Sequence, residues 1–178
     1  MEYLKHAQAI TSILKDQIVD DYLIDISLST QGLTLYYQNH PLLTYSISTA
    51  LKGAGEDYGS YQTPRGWHMI RAKIGGDQPI YSVFEKRRPT GQRYSPELKK
   101  SYPDKDWITT RILWLCGLTL GQNRLGKVDT MQRKIYIHGT GDEADLGQPV
   151  SHGCIRMGNQ DILTLFERVP LYTLVWIH

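Results

Sequence analysis

A mainly β fold, a β-rich α+β domain built on a sandwich-like sheet, is what this sequence predicts, with one helix before the sheet and one near its end. Two observations carry that expectation. Through residues 24–47 apolar and polar residues alternate with period two, which buries one face of each segment and leaves the other in water. Helical spacing of apolar residues is confined to the first twenty residues and to the stretch after residue 158. At 178 residues the chain fits one domain with a core of useful size.

The elements follow in order. Leu4, Ala7, Ile10, Ile13, Leu14 and Ile18 recur at helical spacing, so residues 1–21 read as an amphipathic helix packed on the domain formed by 22–178. Ile24, Ile26 and Leu28 then alternate with polar residues, Gln31-Gly32 turns the chain, and Leu33, Leu35 and Tyr37 alternate again. Asn39-His40-Pro41 reads as the next turn, before Leu43, Tyr45 and Ile47 complete a meander. Gly53 and Gly55 open a loop, and Thr63-Pro64-Arg65-Gly66 turns into a strand from Trp67 to Ile74. Residues 85–106 carry seven lysines and arginines and three prolines, and read as an excursion from the sheet with a short helix near 96–101. It serves either as a solvated loop or as a cover for substrate. The run Ile108 to Leu120 is a buried strand or pair of strands. Arg133 to His138 alternates with Ile135 and Ile137 on one face, which sends His138 to the other. Asn159 suits a helix N-cap, Asp161 the first turn, and Ile162, Leu165, Phe166 and Val169 one buried side. Pro170 stops that helix, and Tyr172 to Ile177 forms a last strand.

Composition narrows the function. A net charge of +2 gives no field suited to nucleic acid, so no nucleic-acid partner is expected. No stretch approaches the ~20 apolar residues that span a bilayer, so no membrane role is expected. The opening residues break every apolar run with charge, unlike a secretory leader, which reads as cytoplasmic; a chain stripped of its leader would act in the periplasm. Two cysteines, Cys116 and Cys154, make no disulfide framework.

The chemistry concentrates in two segments, Ile137-His138-Gly139-Thr140 and Ser151-His152-Gly153-Cys154-Ile155-Arg156. A free thiol titrates near ~8.5, so a nucleophilic cysteine needs a base or a positive setting. His138 and His152 both offer one. Gly153 allows a sharp turn that brings backbone N–H groups toward a reacting carbonyl, as an oxyanion hole requires. Zinc ligation by His138, His152 and Cys154 is the competing chemistry, but no fourth ligand sits at typical spacing, and Asp142, Glu143 and Asp145 read as a solvated loop. No metal and no cofactor are expected. Cys116, inside an apolar run, reads as core, and His68 as a packed or partly exposed histidine. His40 and His178 read as surface. Arg111 is either a salt-bridged residue at the core edge or a ligand for an anionic group.

These segments resemble the L,D-transpeptidase (YkuD-like) catalytic domain family, whose signature is a histidine, a gap, then Ser/Thr-His-Gly-Cys. Sixteen positions separate His138 from Cys154. Thr63-Pro64-Arg65-Gly66-Trp67 resembles the family's Thr-Pro-x-Gly-aromatic strand entry, and the likeness extends over about residues 22–178. The resemblance implies a YkuD-like β-sandwich catalytic domain in which Cys154 forms a thioester with the substrate carbonyl and His138 is base and then acid. It implies that the Gly139 carbonyl orients the imidazole, with Ser151, His152 and Gly153 in the oxyanion turn. Arg156 keeps two roles open: holding the turn through backbone carbonyls, or binding a substrate carboxylate. The implied substrate is a peptidoglycan-derived tetrapeptide or muropeptide, cleaved between diaminopimelate and D-Ala, and carbapenem-type β-lactams are implied acylating inhibitors. Without an export signal, water is the expected acceptor, which makes the enzyme an L,D-carboxypeptidase of peptidoglycan recycling. The alternatives are an L,D-transpeptidase that makes cross-links or exchanges D-amino acids, and a catalytically silent wall-binding protein. The basic excursion, Arg87 and Arg88 above all, is a candidate for binding substrate carboxylates or a sugar-linked phosphate.

Overall fold

Among the described residues the alternating and helical segments become ten strands and two α-helices. The computed structural model describes residues 21–178; the expected N-terminal helix falls outside the described residues but for its last position. The meander is β1 (Tyr22–Ser27), β2 (Gly32–Tyr37) and β3 (His40–Ser48). Next come β4 (Gly66–Ile74), β5 (Ser82–Glu85), β6 (Arg88–Arg93), α1 (Pro96–Ser101) and β7 (Ile108–Gly117). The chain ends with β8 (Tyr136–Thr140), β9 (Ile155–Met157), α2 (Asn159–Arg168) and β10 (Leu174–Ile177). No helix among the described residues is long and apolar enough to cross a membrane.

The strands run in the order β4-β10-β1-β2-β3-β9-β8-β7-β5-β6, and β4 also pairs with β7. That extra pairing closes eight strands on themselves and leaves β5 and β6 as a hairpin on the flank of β7. Closure removes most unpaired sheet edges. Period-two alternation then sends Ile24, Ile26, Leu33, Leu35, Leu113, Leu115, Ile137, Ile155 and Ile177 into one core. Helix α2 joins that core through Ile162, Leu165 and Phe166 and packs on β7 and β8. Each of these side chains contributes ~1.5–3 kcal/mol by leaving water. Ile137 and Ile155, both fully buried, thereby anchor the two strands that carry the chemistry.

Several expectations shift. The turn before β3 is Gln38-Asn39, both at positive φ (48° and 66°), and His40-Pro41 already belongs to the strand. A two-residue hairpin with both residues left-handed matches the twist of its strands. Residues 108–120 form one strand, not two, ending at Gly117. The basic excursion does not leave the sheet at once: β5 and β6 form a hairpin joined to β7 through Val83↔Thr109 and Phe84↔Ile108, and only then comes α1. The strand expected from Arg133 starts at Tyr136, because Lys134 sits at a φ of 61°. The last strand begins at Leu174, not Tyr172, which also has positive φ (71°). The nucleophile turn runs into β9 before any helix begins, so the dipole of α2 starts five residues beyond Cys154.

Candidate active site

Strands β8 and β9 lie side by side and parallel, with Ile137↔Ile155 and His138↔Arg156 in register. Side chains alternate across both strands, so Ile137 and Ile155 face the core while His138 and Arg156 face the opposite side. Cys154, one residue ahead of β9, shares that second face with Tyr136 and packs with it, Phe84 and Ile112. The two sequence segments thus converge on one surface of adjacent strands.

His138 is buried, and its Nδ1 donates to the Gly139 carbonyl at 2.8 Å. A carbonyl only accepts, so the proton sits on Nδ1 and the Nε2 lone pair is left for chemistry. Nε2 makes no hydrogen bond to the described residues. Burial pushes the imidazole below its usual range, Asp106 and the Gly139 carbonyl pull it back up, and Arg156 pushes it down. Only glycine fits at 139, since a Cβ there would lie 2.7 Å from the Thr109 carbonyl and 2.9 Å from Asn159 Oδ1.

Asn159 fixes this end of β8. It opens α2 but does not cap it; Gly158 holds the cap position. Its Oδ1 accepts from Thr109 Oγ1 at 2.7 Å and from the Thr110 hydroxyl, and its Nδ2 donates to the Thr140 carbonyl at 2.7 Å. Glu143 Oε1 accepts from both Asn159 Nδ2 (2.6 Å) and its N–H (2.8 Å). Glu143 and Asp145 are exposed, as expected of a solvated loop, but Glu143 also holds Asn159, and Asp142 pairs with Lys99 at 2.7 Å.

The turn before Cys154 is stapled from both sides. Ser151 Oγ donates to the Cys154 carbonyl at 2.6 Å and accepts from the Gly153 N–H at 3.2 Å. Gly153 adopts a φ of 129°, which side chains rarely tolerate, and its carbonyl accepts from Thr63 Oγ1 at 3.0 Å. Thr63 accepts in turn from the Ala50 N–H at 3.0 Å, so the Thr-Pro-x-Gly segment serves the turn as well as entering β4. The Gly153 N–H is spent inside the turn. The His152 and Cys154 N–H groups carry no hydrogen bond among the described residues.

Cys154 is half-buried, and its Sγ donates to the Lys134 carbonyl at 3.4 Å. Burial pushes the thiol up to about 12, despite lowering by the Tyr136 backbone, Arg156 and Arg133; Asp106 adds to the rise. The thiol and the imidazole are thus both neutral near pH 7. His152, the other candidate base, is exposed, with its Nδ1 3.3 Å from Asp106 Oδ2.

Asp106 is the functional residue that sequence reasoning passed over. Arg156, buried, pairs with it at 2.8 Å rather than with backbone carbonyls or an incoming carboxylate. Burial alone would raise the Asp106 carboxyl, but His138, Arg156 and His152 outweigh it and hold the group low. The sequence offered only a weak signal, since Asp104 and Asp106 flank Lys105 just before Trp107 and nothing local separates the two acids.

Other expected residues fall outside the site. His68 is fully buried between Gly66 and Thr130. Cys116 is half-buried on β7 rather than in the core, and burial raises its thiol. Arg111 is neither salt-bridged nor open to ligand: it donates to the Gln78 and Thr110 carbonyls at 2.7 Å and lies over Phe166. His40 is exposed, and His178 is exposed but 3.3 Å from Asp25. No group of three His, Cys, Asp or Glu among the described residues is placed to hold a metal ion.

Two cavities flank the thiol's partner Lys134. One, of about 280 Å3, is lined by Tyr58, Tyr61, Arg133, Ile135 and His152 among others. The other, of about 290 Å3, is lined by Arg87, Trp114, Met131, Gln132 and Lys134. A larger cavity of about 680 Å3 lies between α1 and residues 141–144, and neither Cys154 nor His138 lines it. Cys154 and His138 line none of the three cavities; Cys154 reaches the two smaller ones through its hydrogen bond to the Lys134 carbonyl.

Comparison with known proteins gives the family and the fold. A model of the L,D-transpeptidase catalytic domain matches residues 21–177. The probable L,D-transpeptidase YbiS of Escherichia coli (strain K12) is 54% identical over 161 residues, 85% of this chain and 52% of YbiS. Among solved structures, L,D-transpeptidase 3 from Mycobacterium tuberculosis, bound to a faropenem-derived adduct, has a TM-score of 0.54 at 15% identity, covering 89% of this chain and 60% of that one. LdtMt1, in complex with imipenem, has a TM-score of 0.53 at 17% identity, with 89% and 59% covered. The chain spans about half the length of YbiS. It belongs to the L,D-transpeptidase catalytic domain family, a family of enzymes.

Proposed function

We propose that this L,D-transpeptidase-family domain is a cysteine acyltransferase that cleaves the diaminopimelate–D-Ala bond of peptidoglycan tetrapeptides, with water as the acceptor. The observation that carries the reading is the shared face of Cys154 and His138, with the imidazole tautomer set by the Gly139 carbonyl. The steps follow from that arrangement. The substrate's scissile carbonyl sits above Sγ. As the S–C bond forms, the thiol proton passes to His138 Nε2, because a thiol raised to about 12 does not ionise on its own near pH 7. The oxyanion meets the Cys154 and His152 N–H groups, since the Gly153 N–H is already engaged. The C–N bond breaks as His138 returns its proton to the leaving nitrogen, and D-Ala departs. Water then attacks the thioester and gives a proton to His138, Sγ leaves and is reprotonated, and a tripeptide with a new carboxylate is released.

Charge supports water over an amine. Arg87, Arg133 and Lys134 line the two cavities beside the thiol, and no carboxylate lines either. An amine acceptor is mostly protonated near pH 7, and such a field repels it, while an anionic peptide donor is drawn in. Amine transfer is the reading that the relatives' names favour. The neighbours bound to imipenem and a faropenem-derived adduct support acylation of Cys154 by carbapenem-type β-lactams.

Disaccharide-tetrapeptide incubated with and without a D-amino acid acceptor, followed by mass spectrometry, tests this. Tripeptide as the main product in both mixtures is expected. A dominant exchange product or cross-linked dimer would replace hydrolysis with transpeptidation.

A further inference from the structure

From the β5–β6 hairpin beside the nucleophile, we infer that Arg87 binds the terminal carboxylate of the residue that leaves, and so restricts the enzyme to the free C-terminal end of a peptide. The inference rests on the acyl-transfer reading above and assigns that site its specificity.

The hairpin is built to present this one side chain. Glu85 pairs with Arg88, which leaves Lys86 and Arg87 as the two turn residues. Both are left-handed, with φ of 49° and 66°. Such turns favour Asn-Gly, and a long side chain at positive φ is strained. The turn has the same geometry as Gln38-Asn39, which matches the twist of its strands, and it fixes where Arg87 leaves the hairpin.

Arg87 is half-buried, and its guanidinium lies over the Trp114 ring, 4.5 Å from the centroid. Its Nη1 donates to the Tyr136 hydroxyl at 3.0 Å. These two contacts fix the plane of the guanidinium, yet neither neutralises its charge. Arg87 makes no ion pair among the described residues. The cavity it lines holds a second cation, Lys134, and no acid. A planar fork of donors, already oriented and lacking a counter-ion, matches a carboxylate.

Tyr136 joins the guanidinium to Cys154: its hydroxyl accepts from Arg87, and its backbone hydrogen-bonds the Cys154 sulfur. The donor fork and Sγ thus lie at the two ends of one residue. In a substrate cut at its last peptide bond, the attacked carbonyl and the terminal carboxylate likewise belong to neighbouring residues. Arg88, exposed on β6, lines no cavity at the site and has no part in this.

The test uses two synthetic tetrapeptides ending in D-Ala, one a free acid and one its C-terminal amide. The wild-type enzyme should favour the acid in kcat/KM by roughly 10- to 100-fold, the range of a charged hydrogen bond. Arg87→Gln should erase that preference by slowing the acid alone, Arg87→Lys should keep part of it, and Arg88→Gln should leave it intact. Equal slowing of acid and amide in Arg87→Gln, or a preference that survives it, overturns the inference. Calorimetric binding of both peptides to Cys154→Ala separates the two claims. Preferential binding of the acid, lost when Arg87→Gln is added, upholds the carboxylate site even if wild-type turnover were absent and the acyl-transfer reading failed. Turnover without any acid preference upholds the chemistry and sinks the carboxylate site. Equal binding with no turnover overturns both.

Discussion

His68 and His138 look alike in almost every respect and do different things. Both are buried on strands, and both donate from Nδ1 to a backbone carbonyl, Gly66 at 2.9 Å and Gly139 at 2.8 Å. The difference lies at the other nitrogen. In His68 Nε2 lies 3.1 Å from Thr130 Oγ1, so a protein group sits against both nitrogens. In His138 Nε2 makes no hydrogen bond to the described residues. Their electrostatics differ too. Burial takes His68 down to about 4, with the Gly66 bond and Glu56 offering weak opposition, while His138 has the Asp106 carboxylate to sustain its basicity. A buried histidine with two partners holds a fold together; one with a single partner and a nearby acid is poised to move a proton.

The comparison breaks most visibly in turnover. His138→Gln should cost roughly 10²–10⁴-fold in kcat, the range for a general acid–base. His68→Gln, assayed at a temperature where it is folded, should leave kcat within a few-fold of wild type. Similar losses in both would mean that His138 acts only through packing.

Stability against pH sharpens the other half. Unfolded, His68 takes up a proton near its ordinary ~6.5; folded, it does so only near 4. Its folded value is depressed, so stability is intact above ~6.5 and falls as pH drops toward 4, by about 3 kcal/mol. Urea denaturation at pH 7 and pH 4.5 should show this loss in wild type and a smaller one in His68→Gln. Equal losses would mean that other groups carry the acid sensitivity.

Asn159→Ala should cost ~1–3 kcal/mol, because it strands the buried Thr140 carbonyl and removes the amide that Glu143 accepts from. It should also lower kcat while His68 is untouched, which thermal melts beside an assay would reveal. The smallest effect is expected from Asp106→Asn. Asp106 raises the basicity of His138, so its loss should move the acid limb of the kcat/KM profile to lower pH. A limb that stays put, or moves up, would remove Asp106 from the base's environment.

The strands of the meander, the strand face of His138 and the helix after residue 158 were legible because alternation and helical spacing are local signals. Closure of the sheet was not, since the β4–β7 pairing joins residues such as Met69 and Cys116 that no local pattern links. In the site, Cys154 and His138 stood out because reactive residue types beside glycines are unusual. Asp106 and Asn159 did not. Both act through partners far along the chain, Arg156 for one and Thr109 for the other, and an isolated Asp or Asn looks the same whether it caps, solvates or pairs. Arg87 was singled out only together with Arg88, until the hairpin turn and Trp114 separated the two.

The account turns on a thioester at Cys154 formed with the help of His138. The direct measurement is peptide mapping by mass spectrometry after acid quench of enzyme mixed with tetrapeptide, in wild type, His68→Gln and His138→Gln. The account predicts a tripeptide acyl group on Cys154 in the first two and little or none in His138→Gln at equal times. An acyl group on Cys116, or full turnover by Cys154→Ala, would contradict it.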